Sequence, residues 1–182
     1  LEEIYKNQGF DRKSLVIKAG ANKKIFNPDG RANMNESTSI NIVTHHWGSN
    51  WNKGFDIYAL LDEMIGKKIN GKSIKFTYIG NIPDNFKFKN SNHIQPLSGI
   101  KLAQELKKNH IYLTGSLNEP SGNHHIEAAQ CGLPLLYINS GGIPEYCEGY
   151  GVKFEKNNLF QKLEELVNSY DFYFNKMISY EN

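Results

Sequence analysis

The sequence predicts an α/β fold, a Rossmann-like parallel sheet with helices on both faces. Two observations predict the class and a third the size. Runs of strand length alternate with runs of helical spacing from residue 40 to the end. The strongest strand candidate, INIVTHH (40–46), is an unbroken apolar and β-branched run, the mark of a strand buried on both faces. The chain has 182 residues, 39% of them hydrophobic, enough for one sound core and so for one domain.

Taken in order, residues 1–9 (LEEIYKNQG) read as a short helix closed by Gly9 at a C′ position. SLVIKAG (14–20) reads as a brief strand and ANKKIFNPDGR (21–31) as a loop around an Asn-Pro-Asp-Gly turn. Residues 30–39 are polar and read as a linker or mobile loop before the strand at 40–46. After the loop WGSNWNKG, Lys53 and Gly54 open a helix to about Ile65, with Phe55, Tyr58, Leu61, Met64 and Ile65 at helical spacing. IKFTYIG (74–80) is the next strand, and a polar loop then leads to a short strand at 93–95. Ser98 is placed to cap a helix over 99–109 whose Leu102 and Leu106 face inward. Then follow a strand at 110–116, a helix at 123–131, a strand at 134–140, a short helix at 142–147 and a strand at 151–155. An amphipathic helix at 159–170 and a further one at 172–180 complete the chain.

Several function classes lack support. A net charge of +2 is too mild to argue for nucleic acid, and no basic cluster with interleaved aromatics supports it. The longest apolar run, 133–138, is far short of the roughly 20 residues of a membrane span. The polar start carries no secretory signal, and two unpatterned cysteines, Cys131 and Cys147, suit a reducing compartment, so the expected location is cytoplasmic. Opening on Leu1 suggests a piece of something longer. The P-loop, dinucleotide-fold, nucleophile-elbow and zinc patterns are absent, as is a DxD pair for a metal-bridged nucleotide.

The informative stretch is 119–145, EPSGNHHIEAAQCGLPLLYINSGGIPE. A Ser-Gly turn at 121–122 precedes a helix, and a helix start leaves backbone N–H groups free for an anion. Glu119 and Glu127 flank that start with seven residues between them. Glu127, about one turn into the helix, can accept two hydrogen bonds from a diol, and Glu119 can accept from sugar hydroxyls. A surface acid and a first-turn helix charge would explain either glutamate alone, but not the pair together with the Gly-rich turns. Lys53 at a helix start opposes the helix dipole, the kind of local conflict expected at a functional site, and it can serve as the counter-charge of a diphosphate. The histidines come as adjacent pairs, 45–46 and 124–125, neither of which chelates a metal by itself. His46 and His124 are candidates to line the phosphate pocket, with His45 and His125 assigned to packing.

These residues carry a resemblance. A Lys-Gly pair at the first helix, E-P-x-G-N-x-x-x-E-A-x-x-x-G-x-P over 119–134 and GG-x-x-E over 141–145 stand in an order similar to that of the donor-binding domain of GT-B glycosyltransferases, family 4 (glycosyl transferases group 1). VIKAGANKKIFNP (16–28) resembles that family's approach to the domain, and the likeness runs from about Val16 to Val167. It implies the C-terminal half of a GT-B fold: residues 1–39 link to a missing N-terminal domain, and 40–182 form the nucleotide-sugar-binding domain. The implied activity is a retaining, metal-independent transfer of a hexose from a nucleotide-diphosphate sugar. A non-catalytic nucleotide-sugar-binding module is the alternative. Lys53 and Glu119 are the implied catalytic residues. Lys53, Ile94, Ser121, Gly122, Asn123, His124 and Glu127 would hold the donor, with the nucleobase near Ile94 and Gln95 and His46 a further phosphate contact. No cofactor is implied beyond the substrate itself. The acceptor would bind the missing domain, and peripheral membrane association of the full-length protein is compatible with that. One departure stands out: where the family usually has an arginine ahead of the lysine, this chain has Trp47 or His46, so the diphosphate charge is met by fewer fixed cations or by His46.

Overall fold

Strand β1 (Ser39–His46) is the apolar run read from the sequence plus one residue, and it lies between two other strands, which is why seven of its eight positions are buried. The computed structural model describes residues 2–10 and 17–181. In it β1 pairs in parallel with β3 (Lys72–Gly80) on one side and β5 (Ile111–Thr114) on the other. Beyond β5 lie β6 (Leu135–Ile138) and β7 (Gly151–Phe154), both parallel. The outer edge of β3 carries β2 (Lys68–Ile69), antiparallel, and the parallel β4 (Asn92–Ile94). The order is β2-β3-β1-β5-β6-β7 with β4 on β3. The chain thus builds outward from β1 to β4 and then returns to β5, so the switch in direction falls between the carboxyl ends of β1 and β5, where open α/β sheets bind ligands.

Helices cover both faces, as predicted. Thr44 and His46, which share one face of β1, bond to Tyr58 of α2 (Phe55–Asp62), whereas His45 on the other face reaches α4 (Asn123–Gln130). Helix α3 (Gly99–Lys107) packs on α4, and α4 on α5 (Ile143–Cys147). Helices α6 (Leu159–Asn168) and α7 (Tyr170–Lys176) follow β7, and α1 (Glu2–Asn7) ends just ahead of Gly9, which has φ 82°. Among the described residues no helix is long and apolar enough to cross a membrane.

The segment ahead of β1 departs from expectation. Of the strand read at 14–20, residues 14–16 lie outside the described residues and 17–20 form no strand; Ala19 instead donates its N–H to the Tyr146 hydroxyl at 3.3 Å. Residues 30–39 are no free linker. The Arg31 guanidinium donates to the carbonyls of Gly132 and Phe174 and sits 3.7 Å above the Phe174 ring, and Met34 is buried in a short 3-10 turn. Lys72 donates to the carbonyls of Met34 and Ser37. The segment is clamped from both sides: its own Arg31 bonds carbonyls of the core, and Lys72 of β3 bonds carbonyls of the segment.

Other differences are local. Lys53 closes a 3-10 turn, Trp51–Lys53, and α2 begins only at Phe55. The helix ends at Asp62, so Met64 and Ile65 pack from beyond it. Ser98 stands at the N-cap of α3 with extended backbone but makes no side-chain cap. β2 and β3 form a hairpin that no hydrophobic pattern marks, turning on Asn70 (φ 51°) and Gly71 (φ 79°), the Asn-Gly pair that tight hairpins use.

Asp62 explains how the loop before β4 is held. Its carboxylate accepts from the backbone N–H groups of Lys89 (2.8 Å), Asn90 (3.0 Å) and Ser91 (2.7 Å) and from the Ser91 hydroxyl. Burial alone would raise its pKa, but these donors outweigh burial and hold it below the usual carboxylate value. Asp62→Ala is expected to cost about 1.5–3 kcal/mol, because it removes the charged acceptor that holds three backbone N–H groups and a hydroxyl of the loop. A urea titration in which Asp62→Ala unfolds at the wild-type midpoint would remove this role.

Candidate functional site

Three turns meet at the switch point, and glycine lets them approach. Gly54 has φ 101°, and a Cβ there would come within 2.5 Å of the Gly115 backbone. The turn carrying Lys53 is stitched to the loop after β5 by the Leu117 N–H, which donates to the Asn52 carbonyl at 2.7 Å. From the next strand over, Gly142 donates its N–H to the Glu119 carbonyl at 2.8 Å, and side chains at Gly141 or Gly142 would collide with the backbone of Glu119 and Pro120. The Gly-Gly pair therefore fixes the backbone that carries Glu119.

Between these turns lies a cavity of about 380 Å³. It brings together Lys53, Glu119, Ser121, Gly122, Asn123, His124, Glu127 and His46, so eight of the nine predicted site residues share one wall or floor. Ile94 is the exception and does not line it. That side is formed instead by Pro96, Leu97, Ser98, Gly99 and Leu102, while Ile94 packs against the core.

At one end the N-terminus of α4 opens on the cavity with Gly122 as N-cap and no side-chain cap, which leaves its first N–H groups available to an anion. The Ser121 hydroxyl is 3.1 Å from the Tyr146 hydroxyl, which fixes the side chain beside the helix start. Lys53 Nζ donates to Glu119 Oε2 at 2.7 Å, and the Ser116 hydroxyl approaches the same oxygen at 3.4 Å. Glu119, read from the sequence as an acceptor for sugar hydroxyls, also holds the ammonium at the cavity wall. With 26% and 14% of their side chains exposed, both partners still face the space a ligand would fill.

The histidines behave differently from expectation. His46 and His124 do line the cavity, their rings 4.5 Å apart. Burial, then neighbouring histidines and Lys53, hold both pKa values well below the usual imidazole value. Burial thus favours the neutral form of His46, which offers a dipole rather than a fixed charge, with Nε2 bonded to the Tyr58 hydroxyl at 2.6 Å. His124 Nε2 pairs with Thr114 Oγ1 at 2.9 Å. His125 is buried with neither ring nitrogen partnered among the described residues, in keeping with packing. His45 is not simply packed: its Nε2 lies 2.9 Å from Glu127 Oε2, and it lines the cavity. Strand alternation sends the two rings of 45–46 to opposite faces, and it gives no warning that both faces meet this cavity at the strand's end. Among the described residues no group of three or more His, Cys, Asp or Glu side chains is arranged to hold a metal ion.

No protein-family model matches the chain. One curated relative, the phosphatidylinositol N-acetylglucosaminyltransferase gpi3 subunit of Schizosaccharomyces pombe, is 24% identical over 159 residues, 80% of this chain and 34% of that protein. The chain thus spans about a third of the length of that relative. Among solved structures, sucrose-phosphate synthase from Thermosynechococcus elongatus superposes with a TM-score of 0.68 at 17% identity, covering 97% of this chain and 51% of the other. WaaG, a glycosyltransferase involved in lipopolysaccharide biosynthesis, gives 0.68 at 14% identity over 88% of this chain and 48% of its own. The C-terminal domain of the glycosyl transferase group 1 family protein LpcC from Francisella tularensis gives 0.65 at 15% identity and is covered over 94% of its length. At these identities the likeness speaks for the fold, and the chain has the Rossmann-like α/β fold found in GT-B glycosyltransferase domains.

Proposed function

We propose that this chain is the donor-binding domain of a retaining, metal-independent glycosyltransferase that moves a hexose from a nucleotide-diphosphate sugar to an acceptor. The observation that carries the reading is the convergence of Lys53, Glu119, Glu127 and the uncapped start of α4 on one cavity at the sheet's switch point. The names of the relatives support the same reaction class, since two are called glycosyltransferases and the curated one an N-acetylglucosaminyltransferase subunit. The acceptor falls to a second domain.

The division of work follows from charge. A diphosphate seeks the ammonium of Lys53 and the N–H groups at the start of α4, which supply positive potential without a metal ion. The carboxylates would repel it and so are better matched to hydroxyls: Glu119 to the hexose, Glu127 to the ribose diol. When the glycosidic bond breaks, the leaving diphosphate gains charge, and Lys53 with the helix start stabilises it. Glu127→Ala is expected to weaken binding of the nucleoside diphosphate by roughly 5- to 150-fold, about 1–3 kcal/mol for a charged hydrogen bond. Titration calorimetry giving equal affinity for wild type and Glu127→Ala would exclude the ribose role.

A further inference from the structure

Of the three histidines that line the cavity, His45, His46 and His124, the reading above leaves His45 without a task. His45 lies at the end of β1 with its ring fixed at both nitrogens. Nδ1 is 3.2 Å from the Tyr112 hydroxyl, which also accepts the His45 backbone N–H at 3.3 Å. Tyr112 is fully buried on β5, and its ring meets the imidazole edge-on with centroids 5.6 Å apart. With the hydroxyl proton directed to Nδ1, the ring proton sits on Nε2, facing Glu127 Oε2 at 2.9 Å.

Seen from Glu127, the arrangement is selective. Its carboxylate has no other hydrogen-bond partner among the described residues, so Oε1 and the remaining lone pair of Oε2 are left for a ligand. The glutamate side chain is 24% exposed against 9% for His45, which places the donor behind the carboxylate and the carboxylate toward the cavity. A histidine that merely filled the core would direct its last N–H at a core acceptor. This one fixes an acid at the wall of the cavity. A lysine or arginine in its place would also fix the acid, but its full charge would attract a phosphate as well and so draw it away from Glu127.

Resting on the ribose role assigned to Glu127, we propose that His45 is a positioning residue for ribonucleotide selection. A relay from Tyr112 through His45 orients the Glu127 carboxylate so that it receives both hydroxyls of the ribose diol, and thereby distinguishes ribo- from 2′-deoxyribonucleotides.

The test is the ratio of dissociation constants for a 2′-deoxynucleoside diphosphate and its ribose counterpart, measured by calorimetry on this chain. UDP, GDP and ADP are tried, and the tightest is paired with its 2′-deoxy form. Wild type is expected to favour the ribose form about tenfold, the worth of one hydrogen bond to a carboxylate. Glu127→Ala is expected to bring the ratio near one. His45→Phe, which keeps a ring against Tyr112 but lacks the N–H, is expected to lower the ratio to about threefold or less with little change in affinity for the 2′-deoxy form. His45→Gln, whose amide reaches the Nε2 position, is expected to restore most of the preference, and Tyr112→Phe to lose part of it. A folded His45→Phe with the wild-type ratio overturns the relay while leaving Glu127 as the ribose ligand. If His45→Phe fails to fold, the other two decide: a lost preference in His45→Gln with a full one in Tyr112→Phe overturns it. No ribose preference in wild type, or an unchanged one in Glu127→Ala, removes the ribose reading itself and the relay with it.

Discussion

Lys53→Ala in the intact enzyme is expected to lower kcat about 10²-fold, equivalent to the roughly 3 kcal/mol that one preplaced donor contributes to a developing anion. The ammonium is already fixed: it closes the 3-10 turn ahead of Gly54 and lies 2.7 Å from Glu119. It therefore needs no reorganisation when charge builds on the leaving diphosphate. The variant has a second consequence, because it leaves the Glu119 carboxylate without its cation beside a bound anion. Lys53→Ala and Glu119→Gln should therefore not be additive, and the double variant should bind nucleoside diphosphate better than Lys53→Ala alone. Steady-state kinetics with an unchanged kcat for Lys53→Ala would contradict the role given to this side chain.

The fold is expected to lose several kcal/mol of stability as pH falls from about 6.5 to about 4. His110 and His125 are pushed down to about 4, each chiefly by burial. For His110 the Lys72 charge adds to burial; for His125, Glu119 opposes it and His45 adds to it. His46 and His124 are held well below the usual value by burial and by their neighbours. In that window the unfolded chain takes up protons that the folded chain refuses, so stability rises with pH and is lost on acidification. Each such histidine contributes up to about 1.4 kcal/mol per pH unit, a large fraction of a typical domain's stability. Above about pH 7 these groups are neutral in both states and the effect vanishes. Urea midpoints followed by tyrosine and tryptophan fluorescence should fall steeply between pH 6.5 and 4.5, and a flat profile would show that the cluster ionises without penalty.

Much of the sheet was legible because a strand buried on both faces has to be apolar, and 40–46 and 74–80 are. The anion end of the site was legible too, since Gly122, Asn123 and the glutamates lie close together in sequence. What could not be read depends on residues far apart along the chain. Lys53 and Glu119 are 66 positions apart, and their pairing appears only once β1 and β5 are neighbours. Asp62 binds a loop 27 to 29 residues away through backbone N–H groups, which leave no mark in the sequence. The segment at 30–39 looked like linker because its polarity was visible and the anchoring of Arg31 on Gly132 and Phe174 was not. Ile94, expected near the nucleobase, does not line the cavity, whose wall on that side is formed by Pro96 to Gly99, a bend that no hydrophobic pattern marks. The Asn70-Gly71 hairpin was legible in principle, but its two-residue strand is too short to register as a hydrophobic pattern.

The central claim is that the cavity at the switch point receives a nucleotide-diphosphate sugar, and a thermal-shift titration of this chain against UDP-, GDP- and ADP-sugars tests it most directly. At a hundredfold excess over its dissociation constant a bound donor stabilises the fold by about 2.7 kcal/mol, a readily measured rise in Tm. The account predicts such a rise with at least one of these donors, and its reduction in both Lys53→Ala and Glu127→Ala. A folded wild-type chain whose Tm none of them moves, at concentrations up to several millimolar, would contradict it.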